Sequence, residues 1–221
     1  MDVELDPTTR LHLKKELEQL HAEFDELYPP GRVDEVMASS IELLRSRSRV
    51  ETYLPALAGR LTRERLNALA RTEGRIARDA PEVLFVSLHD MGRAQIAAAL
   101  MRELCAGRVN VQSAASGREI SEVDPNVRVA MAEIGIDLEA AYSKPLTDEV
   151  LHGADVIVTM GRSVGMVQIP AGTDYRDWRI GDPGEAPLDE VRRIRDDVAA
   201  RVRALLAEIA PAEPAGSLAD R

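Results

Sequence analysis

The residues best suited to chemistry in this chain stand together in Ser87-Leu88-His89-Asp90-Met91-Gly92-Arg93. Gly92 lets the backbone come close to a ligand. Arg93 brings a planar guanidinium fork that suits a tetrahedral oxyanion. Ser87 brings a hydroxyl, which is too weak an acid to act as a nucleophile without a general base. His89 lies in the same loop, either as that base or as a residue that fixes the loop. Ser87 reads two ways in turn, as a hydrogen-bond donor to a bound oxyanion or as a small polar filler. Asp90 sets a carboxylate beside the same place. Facing inward it weakens anion binding; turned outward it caps the following helix or bonds loop N–H groups. Arg93 either grips the anion or pairs with a carboxylate such as Asp90 or Asp182, which closes the site on itself.

The flanking elements must aim this loop. Val83-Leu84-Phe85-Val86 is an apolar, β-rich run, and an Ala-rich helical run spans Ala94 to Leu104. Strand, tight loop and helix in this order direct backbone N–H groups and a helix N-terminus at an anion. From Glu82 onward strands alternate with helices, which implies a parallel sheet in an α/β fold. The expected elements are a short strand over Arg108–Gln112, a helix over Pro125–Gly135 ended by its glycine, and a buried strand over Asp155–Met160. Further strands are expected near Val167–Ile169 and near Trp178. A long helix over Leu188–Ile209 turns Val191, Ile194, Val198, Val202, Leu205 and Leu206 inward.

Ahead of the sheet half lie three amphipathic helices. The first spans Arg10–Tyr28, with Leu13, Leu17, Leu20, Phe24 and Leu27 as its stripe, Thr8 or Thr9 as cap, and Pro29-Pro30-Gly31 as its stop. The second spans about Asp34–Arg47. The third begins at Thr52 and Pro55 and carries Leu54, Leu57, Leu61, Leu66 and Leu69. Residues 1–74 thus read as a three-helix N-terminal domain and residues 75–221 as an α/β domain, joined by a charged linker from Thr72 to Pro81. So short a helical unit buries little surface alone. It is expected to dock, either as a homodimer interface or as a cap on the second domain, and the dimer is favoured.

The second half resembles the low-molecular-weight protein tyrosine phosphatases and the arsenate reductases of the same fold. Their signature is a Cys, five residues, an Arg, then Ser or Thr. Here it runs from Ser87 to Ala94, with Ser87 where the nucleophilic Cys belongs, Ala94 where the thiolate-supporting hydroxyl belongs, and Asp90 where the family often carries Asn. The resemblance extends to Ser113-Ala114-Ala115-Ser116, to Ser143-Lys144-Pro145-Leu146-Thr147, to Asp177-Trp178 and to Asp182-Pro183. It implies a small doubly wound parallel sheet. It also implies catalytic positions at Ser87 (nucleophile), Arg93 and Asp182 (general acid), and an oxyanion-binding set of Ser87, Leu88, His89, Asp90, Met91, Gly92 and Arg93. Asp182 is then a remnant of the family's acid or simply part of an Asp-Pro-Gly turn. The first 74 residues resemble, less specifically, the helical dimerisation module that precedes some actinobacterial phosphatase-like domains.

The family's chemistry needs a thiolate, and arsenate reduction needs a further thiol to resolve the adduct. This chain has one cysteine, Cys105. It falls late in a helix and reads as buried packing. The segment from Met160 to Gly165 has no cysteine. An engineered Cys-to-Ser change accounts for Ser87 alone, not for Ala94, Asp90 and the cysteine-free segment together. The leading expectation is therefore a protein that binds phosphate or arsenate, or a dimeric regulatory module, without Cys-based catalysis. The alternative is an active phosphatase or arsenate reductase with an atypical mechanism or an engineered loop.

Composition sets the outer bounds. With 221 residues, 45% of them apolar but only 3% aromatic, the core must be mostly Leu, Val, Ile, Ala and Met. A formal charge of −10 argues against nucleic acid or anionic membrane as a partner. A single cysteine allows no internal disulfide and no Cys-based zinc site, and no metal or cofactor is expected. No run is long enough to span a bilayer and MDVELDPTTR has no signal core, so a cytoplasmic location is expected.

Overall fold

Alternation within one strand decides the layering. In β1 (Glu82–Ser87) every residue is buried. Val83 and Phe85 enter one apolar cluster, while Leu84 and Val86 enter another on the opposite face. A strand covered on both sides is a continuous apolar run instead of an in-out pattern. The computed structural model describes residues 5–46, 53–117, 122–138, 141–161 and 167–211.

The chain order is α1 (Pro7–Phe24), α2 (Pro30–Arg45), α3 (Leu54–Thr72), β1, α4 (Arg93–Cys105), β2 (Asn110–Ala115), α5 (Pro125–Ala132), α6 (Asp148–Gly153), β3 (Val156–Met160), β4 (Asp174–Trp178) and α7 (Leu188–Ile209). The strands form one sheet in the order β2-β1-β3-β4, and every pair is parallel. Helices α4, α5 and α7 cover the face of Phe85, Val158 and Met160. The other face meets α6 and, through Ala68, α3. The sheet is doubly wound, as the sequence implied.

The three N-terminal helices have their own apolar cluster, with Leu20, Phe24, Leu61 and Leu66 all but sealed from solvent. They are also fixed to the sheet half by ion pairs. Arg65 meets Glu149 at 2.7 Å, Lys144 meets Glu64 at 2.9 Å, and Arg71 lies 3.3 Å from Asp155 and 3.5 Å from Glu82. A methyl on Gly153 of α6 would come 3.0 Å from the Ala68 side chain, so α3 and α6 touch along small residues.

Several boundaries differ from the sequence reading. Asp6, not Thr8 or Thr9, caps α1, accepting N–H bonds from both threonines. Helix α1 ends at Phe24, short of Tyr28 and of Pro29-Pro30-Gly31, and Pro30 instead opens α2, because a first-turn proline lacks only an N–H that would be unpaired anyway. Pro55 opens α3 in the same way, while Thr52 lies outside the described residues. The second strand lies further along than Arg108–Gln112, and its register pairs Ser87 with Ala115. Residues 167–169 form no strand, α5 stops at Ala132, and the short α6 was not anticipated.

Candidate functional site

β1 is an inner strand with β2 on one side and β3 on the other, so its C-terminal end lies where chain connections diverge to opposite sides. Ligand crevices of open α/β sheets form at such points. The loop 87–93 leaves the sheet there and runs into α4.

Neighbouring segments take the loop's carbonyls. Ser87 O accepts from the Ser116 N–H at 3.0 Å and Leu88 O from the Gly117 N–H at 2.8 Å. His89 O accepts from the Ser143 hydroxyl at 2.7 Å, and Met91 O from the Asp124 N–H at 3.2 Å. In a trans peptide the next N–H points opposite to the carbonyl. The N–H groups of Leu88, His89, Asp90 and Gly92 therefore point away from the segments that take those carbonyls. Asp90 shows this directly, since its N–H donates to Ser87 Oγ at 3.0 Å. The loop borders a cavity of about 300 Å³ that is also lined by Arg93, Asp124 and Asp182.

Two glycines keep this geometry. A Cβ on Gly92 would fall 2.4 Å from the Pro183 ring. Gly161, at φ +92°, would drive a Cβ to 2.6 Å from Arg93 Nη1. The Arg93 side chain, 12% exposed, is held in that slot and donates from Nη2 to Asp182 Oδ2 at 3.0 Å and from Nη1 to the Ile180 carbonyl at 3.2 Å. Asp182 also accepts the Gly184 N–H at 3.1 Å, so it serves both the Asp-Pro-Gly turn and the arginine.

Asp90 corrects one expectation. Among the described residues it neither caps α4 nor bonds loop N–H groups. Its backbone is left-handed at φ +51° and its carboxyl is fully buried. Oδ2 accepts from Ser113 Oγ and from the Lys144 N–H, both at 3.2 Å, and Oδ1 has no partner among the described residues. Burial pushes the carboxyl up to about 7, with the Lys144 charge opposing.

Of the remaining expected groups, His89 lines the cavity, but among the described residues the Ser87 hydroxyl is bonded only by the Asp90 N–H. Ala94 is fully buried and brings no hydroxyl. Cys105 closes α4 at the end away from the loop, roughly 18 Å along the helix axis at the standard rise, with its thiol against the Arg102 and Val109 carbonyls. Residues 162–165 lie outside the described residues. The sequence reading missed Asp124, Ser113 and Lys144 as parts of this site. In the sequence, Ser113 and the Ser143-Lys144 run stand only as marks of resemblance. Glu64, which holds the Lys144 ammonium at 2.9 Å, is 80 residues away and carried no local signal.

A larger cavity of about 590 Å³ lies between α3, α4, β2 and residues 135–138 and 141–144. Ser113 and Lys144 line it, but none of the residues of the loop 87–93 does, so it is separate from the oxyanion set. Among the described residues no helix is long and apolar enough to cross a membrane.

Residues 13–70 match a family described as the N-terminal domain of protein-tyrosine-phosphatase-like proteins. The chain is similar to the solved thioredoxin-dependent arsenate reductase of Corynebacterium glutamicum, at 31% identity and a TM-score of 0.78, over 89% of this chain and 96% of that one. It is 31% identical to the glutaredoxin arsenate reductase of a Synechocystis species, over 58% of this chain and 98% of that protein. A solved arsenate reductase in its phosphate-binding state is 28% identical with a TM-score of 0.53, over 59% of this chain and 99% of that one. The strand–loop–helix site, the sheet order and the match of residues 82–214 agree, and the chain belongs to the low molecular weight phosphotyrosine protein phosphatase family.

Proposed function

We propose that this chain binds a tetrahedral oxyanion, phosphate or arsenate, on the loop 87–93 without running the family's thiol chemistry. The observation that carries the reading is the loop itself. Its carbonyls are taken by neighbouring segments, the N–H groups that follow them point away from those segments, and Arg93 stands at its end. The proposed binding set is Ser87 through Arg93, with Ser87 as donor to the anion and Arg93 as its cation. A related arsenate reductase solved in a phosphate-binding state supports the choice of ligand. The absence of a thiol at position 87 and the burial of Cys105 support the lack of reduction.

One observation favours the competing reading, an active phosphatase or arsenate reductase of atypical mechanism: Asp182 is retained against Arg93, where the family keeps its general acid. Calorimetric titration with phosphate and with arsenate, repeated on Arg93→Ala and paired with an aryl phosphate assay, separates the two. Saturable binding lost in the variant, with no turnover, is the result expected. Turnover that depends on Ser87 supports the enzyme instead, and a protein that shows neither binding at millimolar ligand nor turnover defeats both.

We also propose residues 1–74 and 75–221 as the two units of the chain, with the first pairing two copies. Leu11 and Tyr53, 53% and 66% exposed, are the apolar side chains offered for that contact. Sedimentation equilibrium tests it: a dimer that Leu11→Glu dissociates supports the pairing, and a monomer across the concentration range contradicts it.

A further inference from the structure

Asp90 belongs to the loop itself: its N–H donates to Ser87 Oγ, while its carboxyl is fully buried and accepts only from Ser113 Oγ and the Lys144 N–H, with no cationic group bonded to it among the described residues. The Lys144 ammonium is held 2.9 Å from both oxygens of Glu64, not from Asp90. Arg93 is turned to Asp182 and the Ile180 carbonyl, and Arg102 of α4 donates to the Val111 carbonyl. Lys144 favours the ionised carboxylate from a distance, and Glu64 of α3 opposes it. Arg102 and Tyr142 feel the Asp90 charge in return. From β2, Ser113 presents only a hydroxyl, and His89 is the adjoining residue in the loop.

A carboxylate here and a dianion on the adjoining N–H groups would repel through a water-poor interior, where charges act strongly. We propose that the loop takes up a tetrahedral dianion together with one proton on the Asp90 carboxyl, so that Asp90 makes oxyanion binding proton-linked. The inference rests on the oxyanion reading above. The proton comes from solvent and no bond to the anion forms. The neutral acid then presents at this position the uncharged group that an amide would. By reciprocity, the anion raises the proton affinity of Asp90 by the same factor as the proton raises the affinity for the anion.

Sulfate is the probe, because it stays a dianion across the range and any proton counted belongs to the protein. It is titrated calorimetrically at pH 6 and pH 8, each in two buffers of different ionisation enthalpy. The expected result is close to one proton taken up per sulfate at pH 8, little at pH 6, and affinity falling toward tenfold per pH unit above 7. Asp90→Asn should bind with no uptake and no pH dependence. Equal affinity at both pH values without uptake overturns the linkage and leaves the oxyanion reading standing. Uptake that persists in Asp90→Asn assigns the proton to another group, His89 foremost, and overturns it as well. If only phosphate binds, the same count is made on phosphate with Asp90→Asn as reference for the ligand's own proton. No binding of sulfate, phosphate or arsenate at pH 6 removes the oxyanion reading and the linkage with it. Should the variant fold poorly, wild-type binding without proton uptake at pH 8 still overturns the linkage.

Discussion

Arg93 Nη2 lies 3.0 Å from Asp182 Oδ2, and the two side chains are 12% and 67% exposed. The arginine is locked in a slot, while its partner stands in solvent on a turn. Such a pair is a competitor for any anion that Arg93 would bind. An ion pair with one exposed member contributes about 0.2–1 kcal/mol. Asp182→Asn should therefore tighten phosphate binding by a factor of roughly 1.4 to 5, measured by calorimetry at fixed salt. Weaker binding in the variant would show that Asp182 orders Arg93 more than it competes for it.

Asp90 gives a stability prediction with a definite sign. Burial raises its carboxyl from 3.8 to about 7 in the folded chain. Its contribution is thus fully present below about pH 4 and is lost as pH rises through 7. The wild type should lose about 2–3 kcal/mol from this group between pH 5 and pH 8. Urea unfolding at the two pH values, on wild type and Asp90→Asn, checks it: the variant should gain on the wild type by that amount at the higher pH. Parallel curves would contradict the buried, ionisable carboxyl.

The same residue marks what the sequence could and could not disclose. The position of Asp90 in an anion loop was legible from the strand–loop–helix pattern around it. Its inward burial was not, since that depends on Ser113 and on the Lys144 N–H, brought in from β2 and from residues 141–146. Helix α7 was read at its observed bounds because its apolar spacing is regular over 22 residues. Helix α6, with six residues, is too short to show a period. The turns around Pro30 carried a true signal read for the wrong helix. The link from Glu64 to Lys144 is tertiary and had no trace in either segment alone.

That link is itself testable. The Lys144 side chain is 6% exposed and Glu64 25%. Glu64→Gln leaves a nearly buried ammonium with no carboxylate and should destabilise the fold by about 1–3 kcal/mol, below the full figure for a buried pair because Glu64 reaches solvent. Lys144→Met together with Glu64→Gln should recover much of that loss. Chemical denaturation of the two single variants and the double variant measures the coupling, and additive losses would mean the pair does not act as a unit.

Gly161 ties backbone to function. With φ at +92° and Arg93 Nη1 at 2.6 Å from a built Cβ, alanine there must move the guanidinium. Gly161→Ala should cost about 1–3 kcal/mol of stability for a left-handed non-glycine and lower phosphate affinity at least as much as Asp182→Asn raises it. Thermal unfolding and calorimetry read the two effects. Unchanged affinity would mean that Arg93 binds from a position other than this slot.

The most direct test of the central claim is an amide NMR titration of the labelled protein with phosphate. The account predicts saturable shifts concentrated in the N–H signals of Leu88 through Arg93, absent in Arg93→Ala. No shift in that loop at tens of millimolar phosphate, or shifts confined to the separate cavity of Arg60, Arg102 and Lys144, would contradict it.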